Sequence, residues 1–536
     1  MVDQRDVHRW CAHERVSESV DEVRLVTRRS MLRRTGMGLA GLTALGGAAV
    51  VTQSAREQPA RRLPPVPIAA PLRIDHVTVI DPRDGSRRVD VSIRIRNGNI
   101  VSVSDDRAPD SDEWAVDGHG RYAVPGYNNM HTHALQAEFP DMPLAVMLSE
   151  GTTGMRQMAG SAQLLEARAQ ARLGVPPHAP RLLQMPGSLL MPFTASSVED
   201  VQRQIAEQKH QGADFVKVID VDREVFFAAV DAAHDSGMRI AGHLPLSVTL
   251  KEASEAGMDC IEHLGAGGYV WFETSSDGAR LRAEEHDDSG RMPGWLGHLP
   301  FADQLFSTTY VQKHVKKMLL NPVLSDSADT VARLRRAIDT FDDDAAQQLV
   351  DTFAQQKTWH TPTLVRLRTQ YRADDPAYAV HPWVALLGEA DRRDYEEARR
   401  RFLDLPDATR ATYHDCYDMS LRLVGMMHAA GVALMTGTDG TGATPGQGLA
   451  SEFGELAAAG LEPLDVLRSA TTVPAAYLGR TRDLGVVAAG MAADFLLLDA
   501  DPLSSVANMT RVAAVVRAGR FIAGGEIRSV IDQLAG

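Results

Sequence analysis

The sequence predicts an α/β protein: a (β/α)8 TIM barrel with a small composite β-sandwich domain formed by both chain ends. Three observations predict it. Short strand-like runs cluster near both termini. Between them, apolar strand-like runs alternate with amphipathic helical ones. Histidines and one aspartate stand where several of those runs give way to loops. An open doubly wound sheet shares the alternation, but no G-x-G-x-x-G follows the first strand, which counts against its dinucleotide-binding form.

Composition narrows the class. The 536 residues are 44% hydrophobic and 24% charged, which excludes a disordered, collagen-like or polytopic membrane chain. A net charge of −14 and the lack of a basic stripe argue against nucleic acid as a partner. Cys11, Cys260 and Cys416 are too few for a disulfide framework or a Cys-rich zinc module, though one disulfide stays open. The 18 histidines are the unusual feature.

Residues 1–62 are expected outside the fold, as a twin-arginine-type signal and linker. Arg28-Arg29 and Arg33-Arg34 precede a weakly hydrophobic run, Gly36–Val51. That run falls short of the ~20 residues a membrane-spanning helix needs. Pro59, Pro64, Pro65 and Pro67 mark a linker, and no A-x-A sequence marks a cleavage site. A basic leader before an acidic body fits an exported protein, periplasmic or extracellular, with no stable membrane span once mature.

Residues 70–122 read as the first part of the sandwich: Leu72-Arg73-Ile74, Val77–Ile80, Val89–Ile95 and Ile100–Val103. Asp81–Gly85 and Asn97-Gly98-Asn99 are its turns. Residues 479–530 supply the second part, with Phe495–Leu498, Val512–Val516 and Arg520-Phe521-Ile522. The barrel occupies 123–478. Its expected strands are Ala123–Met130, Gly154–Met158, Arg181–Met185, Phe215–Asp220, Arg239–Gly242, Cys260–His263, Trp359–Leu364 and Val432–Thr436. Helical runs such as Val198–Gln211, Arg223–Ser236, Ala345–Gln356 and Tyr417–Ala430 lie between them. Residues 265–344 and 368–414 exceed an ordinary loop and read as lids or specificity surfaces.

The chemistry gathers at strand ends. His131-Thr132-His133 puts two imidazoles on one face of a strand, and imidazole suits zinc-class metals. His243, His263 and Asp439 follow later strands, the usual catalytic place in such barrels. Lys217 lies inside the apolar run Phe215–Ile219. A buried ammonium is costly, which favours the neutral amine, and a neutral amine can take up CO2 as a carbamate. A salt bridge from Lys217 to Asp214 or Asp220 is the simpler alternative.

Together, His131-x-His133, Lys217, His243, His263 and Asp439 resemble the binuclear amidohydrolase superfamily. Ala123-Val124-Pro125-Gly126, Gly151–Arg156, Glu255–His263, Pro362-Thr363-Leu364, Ala470–Ala475 and Gly490–Phe495 are similar to its imidazolonepropionase-like and prolidase-like branch. The resemblance spans about residues 70–525. It implies two divalent metal ions, Zn2+ first, with Mn2+ or Co2+ also suited. It further implies His131, His133 and Asp439 around the more buried ion and His243 and His263 around the other. Carbamylated Lys217 and a hydroxide would bridge them, and Asp439 would carry the proton. Departures are Gln157 where an Asp is expected and no Tyr between Lys217 and His243. Arg156 and His360 are the expected substrate contacts.

The implied reaction is hydrolysis of amide-type C–N bonds in a small molecule: an N-acyl amino acid, dipeptide or cyclic amide. The same site could act on a lactone, carboxylester or phosphotriester. A mononuclear, deaminase-like enzyme and a non-catalytic metal-binding protein are the other readings, and a homo-oligomer stays open.

Overall fold

In the computed structural model, the described residues are 71–535, apart from 111, 138–139, 174, 177–178, 193, 267–268, 289–319 and 442–443. The twin-arginine segment and its linker, 1–62, lie outside them. Five strands open the described chain: β1 (Leu72–Ile80), β2 (Arg87–Arg96), β3 (Asn99–Ser104), β4 (Trp114–Asp117) and β5 (Tyr122–Pro125). Seven follow: β6 (Tyr127–Thr132), β7 (Thr152–Gln157), β8 (Arg181–Gln184), β9 (Phe215–Val218), β10 (Arg239–Gly242), β11 (Cys260–Glu262) and β12 (Trp359–Thr361). The last are β13 (Phe495–Leu498), β14 (Val512–Arg517) and β15 (Arg520–Ala523).

Alternating apolar residues on β1 and β2 make a half-buried pair, with Leu72, Ile74, Ile93 and Ile95 inward. Asn97 (φ 51°) and Gly98 (φ 76°) turn β2 into β3, the left-handed pair a tight hairpin needs. Both chain ends meet where β13 pairs antiparallel with β5, Leu496 opposite Val124 and Leu497 opposite Ala123. The result is one eight-stranded sheet, ordered β15-β14-β13-β5-β1-β2-β3 with β4 beside β1, around a shared apolar core. The strands expected to form the small composite β-sandwich thus share a single mixed sheet. Bulges in β1 let it pair with β2 along its length and with β4 and then β5 on its other side.

The single strand expected over Ala123–Met130 splits at Gly126, whose N–H donates to the Asp494 carbonyl at 3.0 Å. A Cβ there would lie 2.0 Å from Thr153 Oγ1, so only glycine fits the crossing. β6-β7-β8 form one parallel sheet and β9-β10-β11-β12 another. Their edges meet through isolated bridges: Leu190 with Val218, His360 with Leu434, and Thr132 with Gly440. The expected strand Val432–Thr436 makes only such contacts; Met435 N–H donates to the His360 carbonyl and Met130 N–H to that of Thr436. The fold is therefore a mixed α/β arrangement with two open parallel sheets, and among the described residues no continuous ladder closes a barrel.

Helices cover these sheets. Ser197 caps Val198–His210, which buries Val201 and Ile205. Asp343–Gln356 buries Ala346, Leu349, Val350 and Phe353. No helix among the described residues is long and apolar enough to cross a membrane. Cys260 and Cys416 are free and buried.

Candidate metal centre

The site forms where β6, β9, β10, β11 and β12 end, with Asp439 from the segment beside β6. His131 is fully buried. Its Nδ1 lies 2.7 Å from Glu262 Oε2. That carboxylate is held well below the usual range; burial opposes this, and Arg156 and His131 outweigh it. An ionised carboxylate only accepts, so Nδ1 donates and Nε2 keeps its lone pair. His133 repeats the pattern, with Nδ1 2.8 Å from Gln136 Oε1. His263 Nδ1 donates to Thr363 Oγ1, whose own hydroxyl donates to the Pro362 carbonyl.

With each Nδ1 engaged, the three Nε2 atoms converge on Asp439. His131 and His133 lie 3.0 and 3.1 Å from Oδ1, and His263 lies 3.8 Å from Oδ2. Ligand atoms of His131, His263 and Asp439 fall within 4.8 Å of one another. His131 Nε2 is buried without a hydrogen-bond partner. Burial alone would raise the Asp439 carboxyl, but His263 and His131 hold it well below its ordinary value. The donor set, imidazole nitrogens with an ionised carboxylate, could hold a divalent metal ion.

His243 and Lys217 are the two remaining residues of the expected constellation. The His243 ring lies 5.1 Å from that of His263. Burial and the charge of Lys217 lower its pKa to about 3. Gly242 (φ 145°) brings the end of β10 against β9; a Cβ there would meet the Val218 carbonyl oxygen at 2.0 Å. Lys217 is 1% exposed and its Nζ has no hydrogen-bond partner, so the salt bridge considered from sequence does not form. Burial pushes its ammonium down to about 8, against the fields of Glu262 and Asp439.

Backbone strain marks the same places. His263 (φ 53°), Leu264 (φ 56°), Thr363 (φ 47°) and Asp439 (φ 54°) are all left-handed. Each costs about 1–3 kcal/mol and persists only where its surroundings enforce it. The kink at His263 has a direct use. On β11, Cys260 and Glu262 share the inner face, so a straight strand would turn His263 outward. The left-handed turn lets Glu262 and His263, neighbours in sequence, both serve the site.

Two expected substrate contacts are corrected. Arg156 is fully buried, and its guanidinium donates to the Met130 carbonyl at 2.6 Å, Tyr477 Oη at 3.0 Å and Glu262 Oε1 at 2.6 Å. It also stacks on the Phe215 and Tyr477 rings. Arg156 therefore supports Glu262 and does not face a substrate. His360 is also fully buried; it lies on the outer face of β12, 4.4 Å from the Phe353 ring, and burial lowers its pKa to about 3. Gln157, which replaces an expected Asp, is a buried spacer that accepts from Leu135 N–H and donates to the Ala159 carbonyl.

Sequence reading missed Glu262, Gln136, Thr363 and Arg366. Alternation along β11 could have found Glu262, which shares a face with Cys260. Arg366 approaches from the helix Leu364–Tyr371, its Nε 3.3 Å from Asp439 Oδ2. Nothing in its local sequence signals that reach.

The amidohydrolase family model matches residues 418–522, a stretch that holds Asp439 and β13–β15. A comparison with curated proteins found no match. Among solved structures, the bottromycin amidohydrolase is 21% identical with a TM-score of 0.61, over 87% of this chain and 90% of that one. A Xaa-Pro dipeptidase with methionine in its active site is 16% identical, with a TM-score of 0.54 over 85% of this chain and 100% of that one. The A. niger ochratoxinase is 14% identical, with a TM-score of 0.54 over 85% and 96%. These three share the fold, and over residues 418–522 the chain is similar to the amidohydrolase family.

Proposed function

We propose that the chain is a metal-dependent hydrolase of amide-type C–N bonds, acting on an N-acyl amino acid, a dipeptide or a cyclic amide. One observation carries the reading: three imidazoles, each with Nδ1 engaged, aim Nε2 at a single ionised carboxylate. His131, His133 and Asp439 would hold one cation, and His243 and His263 a second, with Lys217 as a carbamate between them. Two divalent ions, Zn2+ by donor chemistry, would supply Lewis acidity and lower the pKa of water.

The chain's own groups supply the rest. Asp439, held ionised, accepts a proton from the attacking water and delivers it to the leaving nitrogen as the C–N bond breaks. Lys217, as the neutral amine, would take up CO2 to give its carbamate, an N–C bond forming as one proton leaves. Glu262, fixed by Arg156, keeps His131 in the metal-binding tautomer. The names of the dipeptidase and the bottromycin amidohydrolase support an amide bond as the target.

Residues 123–478 are proposed as the catalytic barrel domain, with 70–122 and 479–530 as the composite domain. We also propose export, on the strength of the paired arginines and apolar run; a reporter fused to residues 1–62 that stays in the cytoplasm refutes it.

Elemental analysis with a library of N-acyl amino acids, dipeptides, cyclic amides, lactones and phosphotriesters tests the reading. It expects two divalent ions per chain and cleavage of amides. A metal-free protein, or one cleaving only esters or lactones, overturns it.

A further inference from the structure

We infer that Glu452 is a positioning residue for His263: it fixes the chain corner at Thr363, whose hydroxyl keeps the His263 ring in the tautomer that can bind a cation. The inference rests on the hydrolase reading above, in which His263 helps to hold the second cation, and it adds a residue that touches neither substrate nor metal.

The corner lies at the end of β12. Pro362 and Thr363 follow the strand, and the helix Leu364–Tyr371 begins at once. Thr363 is left-handed (φ 47°), a costly conformation for a β-branched residue that persists only where its surroundings enforce it. Its side chain makes no cap for the helix that follows. The enforcement comes from Glu452, on the helix Leu449–Ala458. One of its carboxylate oxygens accepts from Leu364 N–H at 3.1 Å and the other from Val365 N–H at 2.7 Å. These are two of the N–H groups that a helix start leaves unpaired, and Glu452 is fully buried. Burial pushes its carboxyl up to about 8, against the pull of the two N–H groups. Between Asp439 and Glu452 in sequence, Gln447 makes a second tie to the same helix, its Nε2 donating to Thr369 Oγ1 at 2.9 Å.

The corner matters because it sets the direction of one hydrogen bond. A hydroxyl has a single proton. Thr363 Oγ1 donates it to the Pro362 carbonyl at 2.8 Å, so toward His263 it only accepts. His263 Nδ1 then carries the ring's proton, and Nε2 keeps its lone pair on the side of Asp439. A rotated Thr363 would donate to Nδ1 instead, which would place the proton on Nε2 and close that nitrogen to a cation. The Pro362 carbonyl and the Thr363 hydroxyl are neighbouring groups of the corner that Glu452 holds.

The test uses the full chain with zinc as the probe, at about pH 8.5, where the carboxylate form of Glu452 predominates. Two readouts are compared in the wild type, Glu452→Gln and Thr363→Val. One is the His263 tautomer in the metal-free protein, from nitrogen–proton correlation spectra with the signal assigned by its loss in His263→Ala. The other is zinc affinity, by competition with a chelator. The wild type is expected to show a protonated Nδ1 and to bind two zinc ions. E452Q and T363V are each expected to mix the tautomers and to weaken one zinc ion by roughly 10- to 100-fold, leaving the other unchanged. The double variant is expected to lose no more than the worse single one, because both act on one route. E452D, which keeps the charge on a shorter stem, is expected to lose less than E452Q and carries the comparison if the glutamine variant does not fold. A wild-type tautomer in E452Q, or in E452D should only that variant fold, overturns the inference while the hydrolase reading stands. So does a weakening of both zinc ions alike, or a double variant in which the two losses add. A wild type that binds no zinc overturns both readings.

Discussion

His263 directly follows β11 and His360 lies on the adjacent β12, and both are buried, yet the structure gives them opposite surroundings. His263 follows an inward-facing glutamate, and a left-handed backbone swings its ring into the cluster around Asp439. His360 keeps the regular alternation of β12, which turns it outward against Phe353, while Thr361 faces Arg156 on the inside. Both of its ring nitrogens are buried without partners. The difference teaches that strand parity, corrected by backbone kinks, decides whether a buried histidine joins the cluster around Asp439 or packs as a filler.

The comparison breaks most completely if the two residues respond alike to substitution. His263→Ala should lose a metal and with it several kcal/mol of transition-state stabilisation, a fall of roughly 1000-fold or more in kcat/KM. His360→Phe should keep both metal stoichiometry and activity. Equal losses in steady-state kinetics and elemental analysis would put both rings in one site.

The support beneath His131 gives a smaller effect. Glu262→Gln should weaken zinc binding by roughly 10- to 100-fold, measured by competition with a chelator. It should also leave Arg156 a buried, underpaired cation, at a cost of about 3–5 kcal/mol in denaturant unfolding. Unchanged affinity would reduce Glu262 to a structural partner of Arg156.

Lys217 sharpens the inner face by pH. Its pKa falls from 10.5 to about 8, so the fraction of neutral amine rises tenfold per unit up to about pH 8 and then levels. Activation of the metal-free protein by bicarbonate and zinc should follow that curve. A rate flat across that range contradicts a carbamate role.

The outer face shows its effect only in acid. The pKa of His360 falls from 6.5 to about 3, so below pH 6.5 the unfolded chain binds a proton that the folded one refuses. Its contribution is therefore fully present above pH 6.5 and is lost as pH falls toward 3, by up to about 1.4 kcal/mol per unit. His360→Phe should flatten that part of the unfolding profile by one proton. An unchanged slope would mean that His360 is not buried neutral.

These contrasts show what the sequence could and could not carry. The gathering of His131, His263 and Asp439 was legible because each sits at or just after a strand-like run, where side-chain direction follows a simple period. The parallel strands and both terminal strand clusters were legible for the same reason. Arg156 and His360 were misjudged because burial and facing depend on partners distant in sequence: Glu262 and Tyr477 for one, Phe353 for the other. Arg366 was invisible because it reaches Asp439 from a helix whose start is fixed by Glu452, 86 positions downstream. The missing eighth strand has a similar cause. Val432–Thr436 has strand composition, but one bridge, Leu434 with His360, and the Met130–Thr436 hydrogen bond replace a ladder.

The central claim is tested most directly by anomalous diffraction from zinc-loaded crystals. The account predicts two peaks: one about 2.0–2.1 Å from Nε2 of His131 and His133 and beside Asp439, the other bonded to His243 and His263, with density joining both to Lys217 Nζ. Zinc bound elsewhere, with those Nε2 atoms left unliganded, would contradict it.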